Sequence, residues 1–495
     1  MFERITPEEA GVSSAHVAEF ISLLKRREFA MHNVIMMKGD KIFAEYYWKP
    51  FHKDFQHRMY SQTKTHAAIA IGFLEQEGKL SLDDKVIDIF KDKIYSDIPK
   101  AVANQTVREM LTMRTVLTTR WWMNVPNDDD RTRIYFNERP ATTRPSNTLW
   151  NYDSEGSQIL CAIVERLSGM PMFDYLNDRL YKKLGGFEGA SMLRTRNDDC
   201  WGDSGLICTP RAMITFARFV MNYGMWNGER ILNEKFLRDA TSRLVDNRIT
   251  AHNPYMNQGY GYQIWREERN GFSFRGMGMQ DTLCFPDQDI IFLCNADIQG
   301  NDVARPTVHA SFIDMIIDRA QDKPLPKDSE AEAKLARETE NLELVSVKGL
   351  EDSPYREKIN GKVYKLYPNQ MGITEMSFHF NDAKTGEIRY KNAQGEKVLP
   401  FGVNHNVFGK FPELGYSGFH GGAVTDDGSM YDDAVSLAWA DENRVLVNVQ
   451  VIDRYFGNAS WTIGFRDDMI AMEMRRFSEN FFKEYVGNAT GKLEK

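Results

Sequence analysis

The chain has 495 residues, with 62 Lys and Arg against 70 Asp and Glu and a formal net charge of −8. That balance argues against nucleic acid or an anionic membrane as the partner, and the length predicts two domains, one with a large core. No stretch approaches the roughly 18 apolar residues of a membrane span, and MFERITPEEAGVSS lacks the basic and apolar regions of a signal peptide, so a cytoplasmic protein is expected. The five cysteines (Cys161, Cys200, Cys208, Cys284 and Cys294) are odd in number and show no CxxC spacing. They predict buried thiols rather than a disulfide framework or a zinc site.

The stretch AHVAEFISLLKRR reads as an amphipathic surface helix, and 32–47 as a β-hairpin, two β-rich runs around Gly39-Asp40. Next comes Ser61-Gln62-Thr63-Lys64. Residues i and i+3 on a helix share a face, so the Lys64 amine reaches the Ser61 hydroxyl, a poor nucleophile until a base takes its proton. The spacing alone decides nothing, because Ser22-Leu23-Leu24-Lys25 repeats it. Context separates the two. Ala67–Leu74 is apolar nearly all round and predicts a buried helix. A lysine buried at its start carries charge at a cost, the condition for an amine that acts as a base.

Residues 120–147 are aromatic, charged and turn-rich without sustained periodicity, which reads as a functional irregular segment. A Pro-led loop then delivers Tyr152-Asp153-Ser154 before a helix at 155–168, and a further helix is expected at 209–223. Strand signals follow at 260–266, 271–276, 282–286 and 290–294. The Pro-rich hinge DKPLPKD leads into SEAEAKLARETENLEL, a strong helix former and semi-rigid spacer. From about Lys348 the pattern turns to short strands with Asn-Gly, Asp-Asp-Gly and Gln-Gly turns, an all-β domain. Lys384-Thr385-Gly386 falls in one of these turns. The chain therefore divides into a catalytic domain at 1–321, a hinge and linker at 322–345, and an all-β accessory domain at 346–495.

Ser-x-x-Lys followed by Tyr-x-Ser resembles the β-lactamase and penicillin-binding-protein superfamily, and more closely its class C-like serine hydrolases. The blocks EEAGVSSAHVAEFI, GKLSLDD, TVREMLTM, GDSGLICTPRAMITFARFVMNYGMWNGERIL and GYGYQIW extend the resemblance over roughly residues 5–300. It implies an α+β fold, an antiparallel sheet flanked by helices. Catalytic roles follow for Ser61, Lys64 and Tyr152, with Tyr152 sharing the proton taken from Ser61. The third family element is a Lys-Thr-Gly or His-x-Gly strand. Its place is taken here by Phe274-Arg275-Gly276-Met277-Gly278-Met279-Gln280. Aligning Gly276 with the motif glycine makes the backbone N–H groups of Ser61 and Met277 the oxyanion hole.

No Lys or His stands where the antibiotic-binding members have one, so penicillin recognition is not expected. Arg275 is the substitute cation, or else a surface ion-pair arginine. Substrate contacts are expected from Gln62, Trp122, Ser154, Arg275, Gly276 and Gln280, and Val116-Leu117 implies a remodelled pocket wall. The resulting expectation is a cytoplasmic serine hydrolase of esterase, amidase or peptidase type, without metal or organic cofactor. It acts on a small-molecule or peptide substrate and is compatible with homo-oligomerisation. An acyltransferase using the same acyl-enzyme, and a non-catalytic binding or filament protein of the same fold, are the alternatives.

Overall fold

The hairpin folds as Met31–Lys38 and Lys41–Tyr47, turning at Gly39, whose φ of 57° is one that glycine adopts without penalty. In this computed structural model the described residues are 2–116, 130–137, 144–248, 256–478 and 482–494. The two strands belong to a seven-stranded sheet. Its order is Glu3–Arg4, Lys41–Tyr47, Met31–Lys38, Ile290–Ala296, Gln280–Phe285, Phe272–Gly276 and Trp265–Arg266. Every pairing is antiparallel except that of Glu3–Arg4 with Lys41–Ile42.

The sheet is buried on both faces, so its strands read as continuous apolar runs and alternate residues serve different layers. Ile35, Met37, Ile291 and Leu293 pack toward the helices Thr63–Gln76, Ser154–Ser168 and Pro210–Met221. Val34, Met36, Phe292 and Cys294 pack toward Ser14–Arg26 and Ala304–Met315. All five cysteines are free and buried.

Two expectations are corrected. Residues 260–266 form a strand only at Trp265–Arg266. The Tyr262 and Gln263 amides donate instead to the Ala240 and Leu111 carbonyls, at 3.1 and 2.9 Å, and Gln263 takes a φ of 56°. Those bonds divert the backbone from the sheet. The irregular segment also contains a helix, Arg131–Asn137, started by the Asp130 carboxylate accepting from the Arg133 amide at 3.0 Å. It is anchored by buried Ile134, Tyr135 and Phe136.

Beyond the catalytic layers, the linker sequence forms Ser329–Thr339, capped by Asp328, and lies on the first helix through Leu335 and the Lys25–Glu338 pair at 2.9 Å. The all-β part is a ten-stranded sheet from Val363 to Leu493 that closes through a parallel pairing of Gly402–Val403 with Ser436–Leu437. Closure removes the exposed edges that an open sheet presents. Its apolar interior includes Trp439, Trp461, Phe378 and Val447, and the same cluster takes in Leu193, Trp201 and Ile207 of the catalytic part. The barrel is therefore packed on its neighbour. Among the described residues no helix is long and apolar enough to cross a membrane.

Candidate active site

The segment carrying Ser61 is set from below by a short strand. His57–Arg58 pairs with Ile207–Cys208, and the Met59 amide donates to the Leu206 carbonyl at 2.7 Å. The chain then turns sharply. Tyr60 has a φ of 46°, a left-handed conformation that costs a non-glycine residue about 1 kcal/mol or more. One turn of tight helix, Tyr60–Gln62, passes directly into Thr63–Gln76. Thr63 ties the two together, its hydroxyl donating to the Tyr60 carbonyl at 2.6 Å and accepting from the Leu206 amide at 3.1 Å.

On this turn Lys64 Nζ donates to Ser61 Oγ at 3.0 Å and to the Asp203 carbonyl at 2.8 Å. The Asp203 carboxylate stands 3.6 Å from the same nitrogen, and the Lys64 side chain is 1 % exposed. A buried amine needs such company, since an unpaired charge there is costly. Sequence reasoning missed Asp203. Its only signal is its place in Gly-Asp-Ser-Gly, two glycines bracketing two polar residues ahead of the strand Leu206–Cys208.

Tyr152 meets the pair by its ring. Lys64 Nζ lies 5.2 Å from the ring centroid, a cation–π contact, and the ring stacks on Trp265 at 5.5 Å. The loop is held by Asp153, which caps the helix Ser154–Ser168 and accepts from the Thr115 hydroxyl at 2.5 Å. Ser154 is the half-buried first residue of that helix.

The strand Phe272–Gly276 ends against the segment carrying Ser61. A Cβ on Gly276 would run into the Met59 carbonyl oxygen, so the close approach this glycine permits is to the protein's own chain. Both its backbone groups are engaged: its N–H donates to Asp281 at 3.3 Å, and its carbonyl accepts from Arg305. Asp281 is itself bound by Arg305 and His309, at 2.8 and 2.9 Å. Burial pushes the Asp281 carboxyl up, but these partners and Arg275 outweigh it and hold it at about 2. An ionised, fixed Asp281 thus anchors the strand end from which Met277 continues.

Two expected substrate contacts, Gln62 and Gln280, and the surface alternative for Arg275 are corrected. Gln62 is fully buried, its amide accepting from Thr282 at 2.8 Å and donating to Met59 Sδ at 3.6 Å. Gln280 is equally buried and spends its amide on the Ala296 carbonyl at 2.6 Å and on Asn295 at 2.8 Å. Arg275 is no surface ion-pair arginine, although it lines a cavity beside Met277 and Arg305. It is 5 % exposed, pairs with buried Glu267 at 2.5 Å and covers the Trp265 ring. Trp122 lies outside the described residues, as do Leu117 and Asp128. Among the described residues no group of three or more His, Cys, Asp or Glu side chains is placed to hold a metal ion.

The Beta-lactamase family model matches residues 23–306. The chain belongs to the Beta-lactamase family. A 6-aminohexanoate-dimer hydrolase of Paenarthrobacter ureafaciens is 22% identical over 317 residues, covering 58% of this chain and 78% of that one. A Bacillus anthracis structure named as a candidate 6-aminohexanoate-dimer hydrolase superposes with a TM-score of 0.51 at 18% identity, over 62% of this chain and 82% of that one. A penicillin-binding-protein homologue of Caulobacter crescentus gives 0.51 at 15% identity, over 62% and 99%. This Beta-lactamase-family protein is accordingly a β-lactamase-related hydrolase, with an all-β barrel added after the family fold.

Proposed function

We propose that the protein hydrolyses an amide of a small molecule or short peptide through an acyl-enzyme on Ser61. The observation that carries this reading is the 3.0 Å contact between Lys64 Nζ and Ser61 Oγ on a buried turn. Ser61 Oγ attacks the amide carbon and its proton passes to Lys64. The oxyanion is met by the Ser61 and Met277 N–H groups, preorganised donors of the kind worth several kcal/mol. Lys64, with Tyr152 against it, returns the proton to the leaving nitrogen and the amine departs. Water then adds to the Ser61 ester, its proton following the same route, and the acid leaves.

A linear amide fits better than a penicillin. Arg275 is committed to Glu267, and no lysine or histidine precedes Gly276 to hold a penicillin carboxylate. The relative from Paenarthrobacter is named for a linear amide dimer, which supports the same choice. The test is a panel of linear ω-amino-acid dimers, dipeptides and p-nitroanilides, with product amines measured in wild type and in Ser61→Ala. Release that disappears with Ser61 supports the reading. Release that persists overturns it.

A further inference from the structure

The residue before Ser61 is held by the barrel. Tyr60 is 2 % exposed, and its hydroxyl accepts from the Phe456 amide at 3.2 Å and lies 3.5 Å from the Phe456 carbonyl, as a donor. Phe456 opens the barrel strand Phe456–Arg466 and is fully buried. Its ring lies 6.4 Å from the Tyr60 ring and 5.3 Å from that of His57. Two residues earlier, the Arg58 amide donates to the Arg454 carbonyl at 3.3 Å. The Arg58 guanidinium sits 4.4 Å from the Tyr60 ring and 5.1 Å from those of Tyr455 and Trp201. Two barrel–catalytic attachments, the Arg58 amide on Arg454 and the Tyr60 hydroxyl on Phe456, thus hold a segment in which Tyr60 has a φ of 46°.

We infer that the docked barrel sets the geometry of the nucleophile, with Tyr60 as the positioning residue and the Phe456 backbone as its anchor. This rests on Ser61 being the nucleophile. The peptide joining Tyr60 to Ser61 carries the Ser61 N–H, so the Tyr60 backbone decides where that donor points and where Oγ sits above Lys64. A left-handed tyrosine persists only where its surroundings over-determine it. Here the barrel supplies those surroundings, through a phenol bound at both ends of one peptide residue. Released, the backbone relaxes toward ordinary φ, and the N–H swings off the oxyanion position.

The test compares Tyr60→Phe, Tyr60→Ala and Tyr60→Gly in the full chain. The readouts are the rate of labelling by a fluorophosphonate, kcat and KM on a p-nitrophenyl ester, and thermal midpoint. Tyr60→Phe keeps the buried ring and the Arg58 contact while losing the hydroxyl. Labelling rate and kcat are expected to fall at least about fivefold, the effect of losing the shorter of the two neutral hydrogen bonds alone, with KM unchanged. Tyr60→Ala falls further. Tyr60→Gly recovers part of the loss, because glycine adopts this φ freely, whereas a purely packing role would make glycine no better than alanine. Wild-type labelling in Tyr60→Phe, or glycine no better than alanine, overturns the inference. Failure of the underlying reading is distinguishable, since it would leave Ser61→Ala active.

Discussion

Asp203 places two groups on one nitrogen: its carbonyl lies 2.8 Å and its carboxylate 3.6 Å from Lys64 Nζ. The first contact is backbone and survives any substitution. The second is removed by Asp203→Asn at constant shape. Losing one charge-assisted contact of about 1.5 kcal/mol predicts a roughly tenfold fall in kcat. KM should stay near wild type, because the carboxylate touches Lys64 and not the substrate. Steady-state kinetics on an ester checks this, and unchanged kcat would leave the carboxylate without a role.

Lys64→Ala and Tyr152→Phe should each cost orders of magnitude in turnover, and the double variant should be no worse than the poorer single one. Groups that act as a unit give such non-additive losses. Tyr152→Phe keeps the stack on Trp265, so loss there cannot be traced to the loop. Cleanly multiplicative losses would mean that the two act separately.

Asp297 predicts a pH effect at the barrel interface. Burial raises its carboxyl to about 6, although Gln299 and the barrel's Asn458 donate to it at 3.0 and 3.1 Å. An acid whose folded-state value is raised gives stability that is fully present below its unfolded value near 3.8 and lost as pH climbs through about 6. The size is of order 3 kcal/mol. Asp297→Asn removes this term. Relative to the variant, the wild-type thermal midpoint should fall between pH 4 and 6 and then level off. Parallel curves across that window would contradict the assignment.

Gly421 meets Trp201 across the interface, and a Cβ there would enter the indole ring. The indole is buried and pinned against Arg58, so it has little room to give. Gly421→Ala should therefore lower stability by about 1–3 kcal/mol, read as a lower midpoint in thermal or urea unfolding. Removing residues 345–495 altogether would bare Leu193, Trp201 and Ile207. Poor solubility or changed substrate preference is expected of that truncation. A soluble fragment with wild-type kinetics on every substrate would show the barrel to be a bystander.

The parts that were legible in the sequence are those fixed by local spacing. Ser61 and Lys64 meet because three residues of helix bring them together, and Gly39 turns the hairpin because glycine tolerates that φ. The linker helix likewise follows from its own composition and cap. The parts that were not legible depend on partners far away in the chain. Gln62 sits between Ser61 and Lys64, yet it points into the core because the Thr282 hydroxyl, 220 residues on, donates to its side-chain oxygen there. Gln280 turns inward toward Asn295 and Ala296, and Arg275 is drawn under cover by Glu267. Asp203 reaches Lys64 across 139 residues, a pairing that no spacing rule announces.

The central claim is that Ser61 forms the acyl-enzyme. Intact-protein mass spectrometry after brief exposure to a fluorophosphonate or an activated ester tests it most directly, with the adduct then mapped to a peptide. Ser22 is the internal control, a surface helix serine accepting from Arg26 at 2.8 Å. The prediction is one adduct on the peptide containing Ser61, unchanged in Ser22→Ala and absent in Ser61→Ala, with ester turnover lost in parallel. An adduct elsewhere, or a Ser61→Ala protein that keeps wild-type turnover, would contradict the account.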